Sequence, residues 1–176
     1  MTYPKSLLIG SVLFVQLLGA TVLAREPEDT LDRFRITELM YKYALFHNLT
    51  EPEEYAALFT KDGEFGTAKG RDALIALAKK DRETFNPGAA GGKRSFMVMR
   101  TIITNPLVTL HSDGTADGIC YVQIVVQKTG VGPQILAQGR YEDKYRKEDG
   151  AWRIAHRDVF LDMTNMALAK EVGVIK

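Results

Sequence analysis

Two side chains in this sequence, His47 and Arg100, have types and surroundings suited to proton transfer or to oxyanion binding. His47 follows an apolar stretch. Imidazole is the side chain whose unperturbed pKa, near ~6.5, allows proton exchange around neutral pH. Arg100 stands in an apolar, strand-like segment and needs a ligand oxygen or a carboxylate such as Asp143, because an unpaired buried charge is costly. We predict that both are catalytic residues in one pocket; a surface histidine and an outward-facing arginine are the alternatives.

Tyrosine and amide side chains in neighbouring segments are suited to line a pocket for an apolar molecule. A tyrosine offers its ring to the apolar part of a ligand and its hydroxyl to a polar atom, and a glutamine offers an amide. For any single tyrosine, plain core packing is the alternative. The predicted pocket-lining residues of these two types are Tyr43, Tyr55, Tyr121, Gln123, Gln138 and Tyr141.

Neither a metal nor a cofactor is predicted. The three histidines are scattered along the chain without the spacing of metal ligands. The glycines of residues 130–133 lie between predicted strands and do not open a helix, as a phosphate-binding loop would. Cys120 is the single cysteine, and its apolar surroundings predict a small buried side chain.

Residues 1–24 have the layout of a secretory signal peptide. Lys5 precedes a nearly uninterrupted apolar run, which closes on the compact Val22 and the small Ala24 before charged residues begin. We predict cleavage after Ala24 and export to the periplasm or the medium, with a retained membrane anchor as the alternative. The remaining residues 25–176 have the length of one domain.

The predicted mature chain carries no excess of charge. The sequence has 23 lysines and arginines against 22 aspartates and glutamates, and cleavage removes only Lys5 among them. A balanced chain lacks the basic surface that nucleic acid or an anionic membrane attracts. We therefore predict no nucleic-acid partner and no membrane association after cleavage.

Hydrophobic periodicity predicts helices first and strands afterwards. Helical spacing of apolar residues predicts a helix over about residues 30–46, and shorter helices around Tyr55 and after Gly70. Residues 61–63 are predicted to form a turn and residues 86–92 a loop. The strand-like runs that follow are residues 96–110, 115–127, 134–146 and 152–160. This order indicates an α+β fold, with N-terminal helices packed on a curved, mainly antiparallel sheet.

Several short motifs, taken in order, resemble those of SnoaL-like (NTF2-like) domains. Tyr43-Ala44 followed by residues 55–63 (YAALFTKDG) resembles the opening of family domains. Thr104-Asn105 fits the start of their central strand, and residues 139–143 (GRYED) with 149–154 (DGAWRI) resemble their last hairpin. The resemblance spans about residues 30–160. It implies an NTF2-like cone, in which helices close one mouth of a bent sheet around a pocket. The family includes polyketide cyclases and scytalone-dehydratase-like lyases.

The resemblance also implies that two acid/base residues are replaced in this chain. Dehydratase-type relatives use a carboxylate at the end of the first helix and a histidine on the sheet, since one group must take a proton and another must give one. Counting from the shared motifs places Asn48 and Thr101 at these two positions. Neither side chain titrates near neutral pH. Both are predicted to line the pocket.

We therefore predict an exported domain that binds a small, largely apolar molecule in a cone-shaped pocket. A lyase or isomerase (dehydratase- or cyclase-like) acting on a small cyclic or polyketide-like compound, with His47 as a relocated base, is the first alternative. The second is a non-catalytic dimerisation or assembly domain, since family domains often pair through the outer sheet face. A homodimer is predicted, with Val125, Val126 and Ile135 exposed on that face. Residues 163–176 are expected to form a short helix over the mouth of the cone, where Met163, Met166 and Leu168 help to close the pocket.

Overall fold

The computed structural model describes residues 9–49, 51–85, 99–128, 132–172 and 174–175. The predicted loop over residues 86–92 and the start of the following predicted strand lie outside the described residues. The helices and strands, in chain order, are α1 (Ile9–Leu49), α2 (Pro52–Ala57), β1 (Phe59–Phe65), β2 (Ala68–Lys69), α3 (Arg71–Phe85), β3 (Met99–Leu110), β4 (Thr115–Lys128), β5 (Gly132–Glu148), β6 (Ala151–Thr164) and α4 (Met166–Glu171).

The strands of the described residues form one six-stranded sheet in the order β2-β1-β6-β5-β4-β3. Neighbouring strands are antiparallel except β1 and β6, which run parallel. The last hairpin turns on Asp149 and Gly150, whose φ angles of 51° and 76° suit a type I′ turn. The predicted α+β class and mainly antiparallel sheet are confirmed. This order leaves β3 at an edge of the sheet, in contact with α1.

The core lies between α1 and the inner face of the sheet. One side of α1 is buried at helical spacing, because apolar residues recur every three or four positions. These residues are Ile36, Leu39, Met40, Tyr43 and Ala44. They cluster with inward-facing side chains of the strands, among them Cys120, Tyr141, Tyr145 and Ile154. Gly118 on β4 permits this close packing, since an added Cβ would lie 2.5 Å from Met40 Cε and 2.7 Å from the Tyr145 ring.

Helix α1 begins earlier than the sequence predicted. Residue 30, where the predicted helix begins, lies well within α1, whose backbone continues from Ile9. The apolar run before residue 30 is rich in leucine, valine and alanine and contains no turn sequence that would separate it from the amphipathic part. The predicted cleavage point after Ala24 falls within this helix, and cleavage stays a prediction. No helix in the described part of the chain combines the length and the hydropathy that a membrane span needs.

The predicted turn over residues 61–63 is wrong, because these residues lie inside β1. Strand β1 pairs with β6 through a register shift between Phe59 and Glu64. Gly63 sits in this irregularity, and an added Cβ there would lie 2.8 Å from Phe59 Cβ. Gly63, which suggested a turn in the sequence, therefore belongs to a β-bulge. Bulges, like turns, are places where glycine is common.

The C-terminal segment forms the predicted short helix but not with the predicted contacts. Leu168 and Ala169 of α4 are buried against Val126 and other residues in a second apolar cluster. Met163 and Met166 are 63% and 57% exposed, so their predicted role in closing the pocket is wrong. Met163 lies near the end of β6 and Met166 is the first residue of α4, so neither belongs to the part of the helix that packs in this cluster.

Candidate functional site

His47 lies in the last turn of α1 and is held by side chains of two other elements. Its Nδ1 lies 3.2 Å from Oγ1 of Thr101 on β3, and its Nε2 lies 3.1 Å from Oδ2 of Asp81 on α3. The His47 side chain is 12% exposed and that of Asp81 31%, while Thr101 is buried. The three residues form a hydrogen-bonded chain that leads from the surface of α3 to the inner face of the sheet.

The periodicity of α3 places Asp81 in this chain. Leu74 and Ala78 are buried, and Asp81 follows them at positions i+7 and i+3 of the same helical face. Burying the two apolar side chains against the rest of the domain therefore turns the carboxylate of Asp81 toward the end of α1. Since His47 occupies the last turn there, the hydrogen bond between His47 and Asp81 joins two helices that are distant in the sequence.

The side chain of Asn48 is directed at the backbone of Thr101. Its Nδ2 donates to the Thr101 carbonyl oxygen at 3.0 Å, and its Oδ1 accepts from the Thr101 N–H at 2.6 Å. Thr101 lies on the edge strand β3, so its outward backbone groups need partners from outside the sheet. The two positions that the family comparison marked as replaced are thus joined to each other by two hydrogen bonds.

Three of the predicted tyrosines, Tyr43 on α1, Tyr55 on α2 and Tyr141 on β5, lie together next to His47. The Tyr43 ring stacks on the imidazole at 6.0 Å with an interplanar angle of 4°, and its centroid lies 5.2 Å from that of Tyr55 and 5.6 Å from that of Tyr141. All three tyrosines are buried. Burial raises the pKa of Tyr43, and raises the pKa of Tyr55 and Tyr141 well above the ordinary value. Their hydroxyls therefore stay protonated around neutral pH.

A buried ion pair between Arg157 and Asp143 packs against the tyrosine cluster. Nε and Nη2 of Arg157 each lie 2.6 Å from an oxygen of Asp143, and both side chains are buried. The guanidinium lies 3.9 Å from the Tyr43 ring centroid and 4.4 Å from that of Tyr141. Burial opposes the charge on Arg157, but attraction to Asp143 outweighs it and keeps the Arg157 pKa above its usual value. Tyr145 donates a further hydrogen bond to Asp143.

Comparisons with known proteins agree with this architecture. The SnoaL-like domain family matches residues 28–158, which is most of the chain. The chain belongs to the SnoaL-like family. No curated protein matches its sequence.

Among solved structures, this SnoaL-like domain is similar to a protein of unknown function from Mycobacterium tuberculosis, with 28% identity, 80% of this chain and 77% of that one covered, and a TM-score of 0.66. An NTF2-like protein with a cystatin-like fold from Novosphingobium aromaticivorans has 25% identity over 85% of this chain and 94% of that one, with a TM-score of 0.69. A candidate scytalone dehydratase from the same organism has 26% identity over 78% and 88%, with a TM-score of 0.62. The predicted family and its NTF2-like fold are thereby confirmed.

Several predicted site residues of the SnoaL-like domain lie on the outer face of the sheet instead. Arg100 is exposed, because strand alternation places it opposite the inward-facing Thr101, so it does not meet His47. Tyr121 is 57% exposed. Gln123 pairs across the sheet with Ile102 and Gln138, and directly paired residues share a face. Since Ile102 is exposed, both glutamines belong to the outer face. The structure therefore does not bring Arg100, predicted as catalytic, or the predicted lining residues Tyr121, Gln123 and Gln138 to the inner face beside His47.

The carboxylate predicted as a partner for Arg100 belongs to a different arginine. Asp143 pairs with Arg157 on the inner face, whereas Arg100 lies on the outer face of the edge strand. Asp81 was not predicted at all. Its signal in the sequence is weak, because it stands in a run of charged residues, 79–83, that reads as a solvated helix surface. Only its spacing from Leu74 and Ala78 distinguishes it.

The described surface includes two cavities that residues other than His47 line. One, of about 340 Å³, lies on the outer sheet face beside Asp117, Lys144 and His156. The other, of about 480 Å³, lies between α1, α2 and the last hairpin beside Phe46 and Trp152. His47 lines neither of them, and a cone-shaped pocket beside it stays a prediction. Across the described ranges, no three or more His, Cys, Asp or Glu side chains are grouped as a metal site would require.

Proposed function

We propose that this SnoaL-like domain binds a small, largely apolar molecule beside His47 and transfers a proton on it as a lyase or isomerase. The placement of His47 carries the proposal, because a mostly buried imidazole bonded to a carboxylate and a hydroxyl is an arrangement suited to general acid–base catalysis. It also supplies, from a neighbouring position, the titratable group that Asn48 and Thr101 lack. The similarity to a candidate scytalone dehydratase favours the same reaction class.

The surroundings of His47 favour a ligand with a flat apolar ring. The Tyr43 ring stacks on the imidazole, and the Tyr55 ring lies 5.8 Å from it. Phe46 and Phe65 are partly buried against the same cluster. Ligand sites of this kind are lined mainly by apolar and aromatic side chains, with a few polar groups that fix the orientation. Here those polar groups are His47 and the Thr101 hydroxyl.

The chemistry follows from the two protonation states of imidazole. Unprotonated His47 removes a proton from the carbon next to a carbonyl of the substrate. In a dehydration, the electrons of that C–H bond form a C=C bond as the neighbouring C–O bond breaks, and the imidazolium returns its proton to the departing hydroxide as water. In an isomerisation, the proton returns to a different carbon. Both sequences leave His47 in its starting state.

Deuterium exchange on a cyclic ketone tests the proton transfer without knowledge of the natural substrate. With 2-tetralone in D₂O, we expect the domain to accelerate exchange at the α-carbon, followed by NMR. Because a general base typically contributes about 10²–10⁴-fold, His47→Ala is expected to reduce the enzyme-dependent rate by that factor. Binding of 2-tetralone, followed by saturation-transfer NMR, is expected to change little.

His156→Ala is the matched control for this experiment. His156 contacts the carboxylates of Glu64 and Asp158 on the sheet, away from His47, so the exchange rate is expected to be unaffected. Equal exchange rates for the wild type and His47→Ala, with binding retained, would refute the catalytic part and leave the domain as a binding protein. Absence of binding of any apolar cyclic ketone would refute both parts.

We also propose that the domain forms a homodimer through the outer face of its sheet. Exposed apolar residues cover this face, which is unusual for the free surface of a monomer. They include Ile102, Leu107, Tyr121, Ile135, Phe160 and Met163. Val126, which was predicted to be exposed there, is buried, and Val125 is partly buried. A two-fold interface must be self-complementary, and this face carries both a cation, Arg140, and the anions Glu142 and Asp162 with which it pairs.

Sedimentation of charge-insertion variants tests the dimer. Tyr121→Glu places an acid in the apolar face and is expected to yield monomers at concentrations where the wild type is dimeric. Tyr41→Glu is the control, since Tyr41 is 49% exposed on α1, away from the sheet. A monomeric wild type at high concentration, or a dimer that survives Tyr121→Glu, would contradict the proposal.

Export is proposed on the sequence of residues 1–24 alone. Expression of the full chain in a bacterial host, followed by fractionation and mass spectrometry, is expected to give a periplasmic protein whose first residue is Arg25. A cytoplasmic or membrane-bound protein that retains residues 1–24 would be inconsistent with this proposal.

A further inference from the structure

We propose that Asp81 is a positioning residue that fixes the tautomer of His47, so that the basic Nδ1 faces the interior of the domain. This inference rests on the proposed function, since it assigns a role to Asp81 in the same site. Its basis is the hydrogen-bonded chain Asp81–His47–Thr101, in which the ring nitrogens have partners of different chemistry. The SnoaL-like fold supplies each member from a separate element, α3, α1 and β3.

The chemistry of the partners determines where the proton lies. An ionised carboxylate only accepts hydrogen bonds, so Nε2 of His47 must carry the hydrogen that points to Asp81 at 3.1 Å. In a neutral imidazole the other nitrogen, Nδ1, then has the free lone pair. The hydroxyl of Thr101 can donate as well as accept, and it donates to Nδ1 across 3.2 Å.

The direction of the hydrogen-bonded chain matters because its three residues differ in exposure to solvent. Asp81 lies on the solvent side and keeps access to water, whereas Thr101 is buried on the inner sheet face. The lone pair of His47 is therefore aimed inward, where a substrate would meet Thr101. Asn48 restrains the Thr101 backbone by two hydrogen bonds, which holds the hydroxyl in register with Nδ1.

The carboxylate has a second effect when His47 takes up a proton. The imidazolium then donates from both nitrogens, and the nearby negative charge of Asp81 stabilises it. A base held in one tautomer by a carboxylate, with its free nitrogen directed at a hydroxyl, is the general arrangement of an activated acid–base pair. Loss of the carboxylate alone is expected to affect catalysis far more than binding.

Asp81→Asn is the variant that tests the inference. Its side chain has nearly the same shape, but its amide can donate to Nε2 and so stabilise the opposite tautomer. We measure the ¹⁵N shifts of His47, which distinguish a pyrrole-like N–H from a pyridine-like nitrogen. For the wild type we expect a pyrrole-like Nε2 and a pyridine-like Nδ1, and for Asp81→Asn the reverse. The 2-tetralone exchange rate is expected to fall about 10²–10⁴-fold, with binding within twofold.

Glu83→Gln is the matched control, since Glu83 is exposed two residues further along α3. It is expected to leave both the His47 shifts and the exchange rate unchanged. Asp81→Ala serves as a second variant, because it removes the acceptor without adding a donor and is expected to give a mixture of tautomers.

The tautomer measurement decides the inference whether or not exchange is catalysed. A pyrrole-like Nδ1 in the wild type, or His47 shifts that are identical in the wild type, Asp81→Asn and Asp81→Ala, would overturn it. A tautomer change in Asp81→Asn upholds the positioning role even if 2-tetralone exchange proves independent of His47. That last result would refute only the proposed function.

Discussion

The side chain of Asn48 holds the backbone of Thr101 at both of its polar atoms. The amide nitrogen donates to the Thr101 carbonyl at 3.0 Å, and the amide oxygen accepts from the Thr101 N–H at 2.6 Å. Because β3 is an edge strand, no neighbouring strand binds its outward backbone groups. The two bonds from Asn48 take the place of such a strand at Thr101. An amide can do this because it both donates and accepts, which an ionised carboxylate cannot.

Substitution of Asn48 is therefore expected to weaken the fold as well as the site. Asn48→Ala leaves the Thr101 N–H and carbonyl without these partners and is expected to lower the free energy of unfolding by about 2–4 kcal/mol. Asn48→Asp still accepts from the N–H but cannot donate, so about half of that loss is expected. Urea unfolding measures both values, and hydrogen exchange of the Thr101 amide reports the local effect. Equal stability of Asn48→Ala and the wild type would contradict this account.

The sequence allowed the fold to be predicted better than the site. Alternation and helical spacing identified the helices and the long strands, since each of these signals is local. Alternation also requires Arg100 and Thr101 to point to opposite faces, but it does not say which face is inside. That depends on the helix that covers the strand, and α1 covers the side of Thr101. The catalytic prediction for Arg100 failed for this reason.

Contacts between distant elements account for the rest of the missed site. Asp81 and His47 are 34 residues apart, and their contact requires α3 to pack at the end of α1. Likewise, Asp143 and Arg157 meet only when β5 and β6 pair in the observed register. No local pattern in the sequence encodes either pair, and Asp143 was named only as a possible partner of Arg100.

Removing one partner of the buried ion pair is expected to be strongly destabilising. Asp143→Ala leaves the Arg157 charge buried without its carboxylate, which typically costs about 3–5 kcal/mol. The double change Asp143→Leu with Arg157→Met is expected to recover much of this loss, because it removes both charges. Chemical denaturation of the single and double variants measures the difference. Glu38→Gln, which breaks an exposed pair with Lys42, provides the control and is expected to cost no more than about 0.5 kcal/mol.

A double variant that is no more stable than Asp143→Ala would show that the pair has a packing role that apolar residues cannot replace. In that case, the contacts of the guanidinium with Tyr43 and Tyr141 would be the main contribution, and Arg157→Lys is expected to be as damaging as Arg157→Met.

Alkaline pH is expected to destabilise the domain through Cys120. Burial raises the pKa of this thiol to about 11, whereas an exposed thiol titrates near ~8.5. Between these values the folded state keeps the proton and the unfolded state loses it. The contribution of the protonated Cys120 thiol to the free energy of unfolding is thus fully present below pH ~8.5. Above that pH it decreases by about 1.4 kcal/mol per pH unit. Buried tyrosines such as Tyr55, whose pKa is also raised, add to the decrease above pH ~10.

Urea unfolding between pH 7 and pH 10, with a reductant present, measures this effect. Cys120→Ala is the control, since it keeps a small buried side chain but removes the titrating group. Its stability is expected to be nearly flat from pH ~8.5 to ~10, where the wild type declines. If the free energy of unfolding fell equally with pH in both proteins, groups other than Cys120 would be responsible for the loss of stability at alkaline pH.

Gly139 on β5 is expected to tolerate no side chain. It stands at a register irregularity between β5 and β6, where the backbone of the neighbouring strand comes close. An added Cβ would overlap the Phe160 carbonyl oxygen and lie 2.8 Å from Leu161 Cα, and both contacts are with backbone that cannot move independently. Gly139→Ala is therefore expected to cost more than about 3 kcal/mol or to prevent folding. Gly114→Ala is the comparison, since Gly114 has a φ of +81° but open space around it and is expected to cost only about 1–2 kcal/mol. Thermal unfolding of the two variants separates steric overlap from backbone strain, and similar losses in both would contradict the close approach of β6 to Gly139.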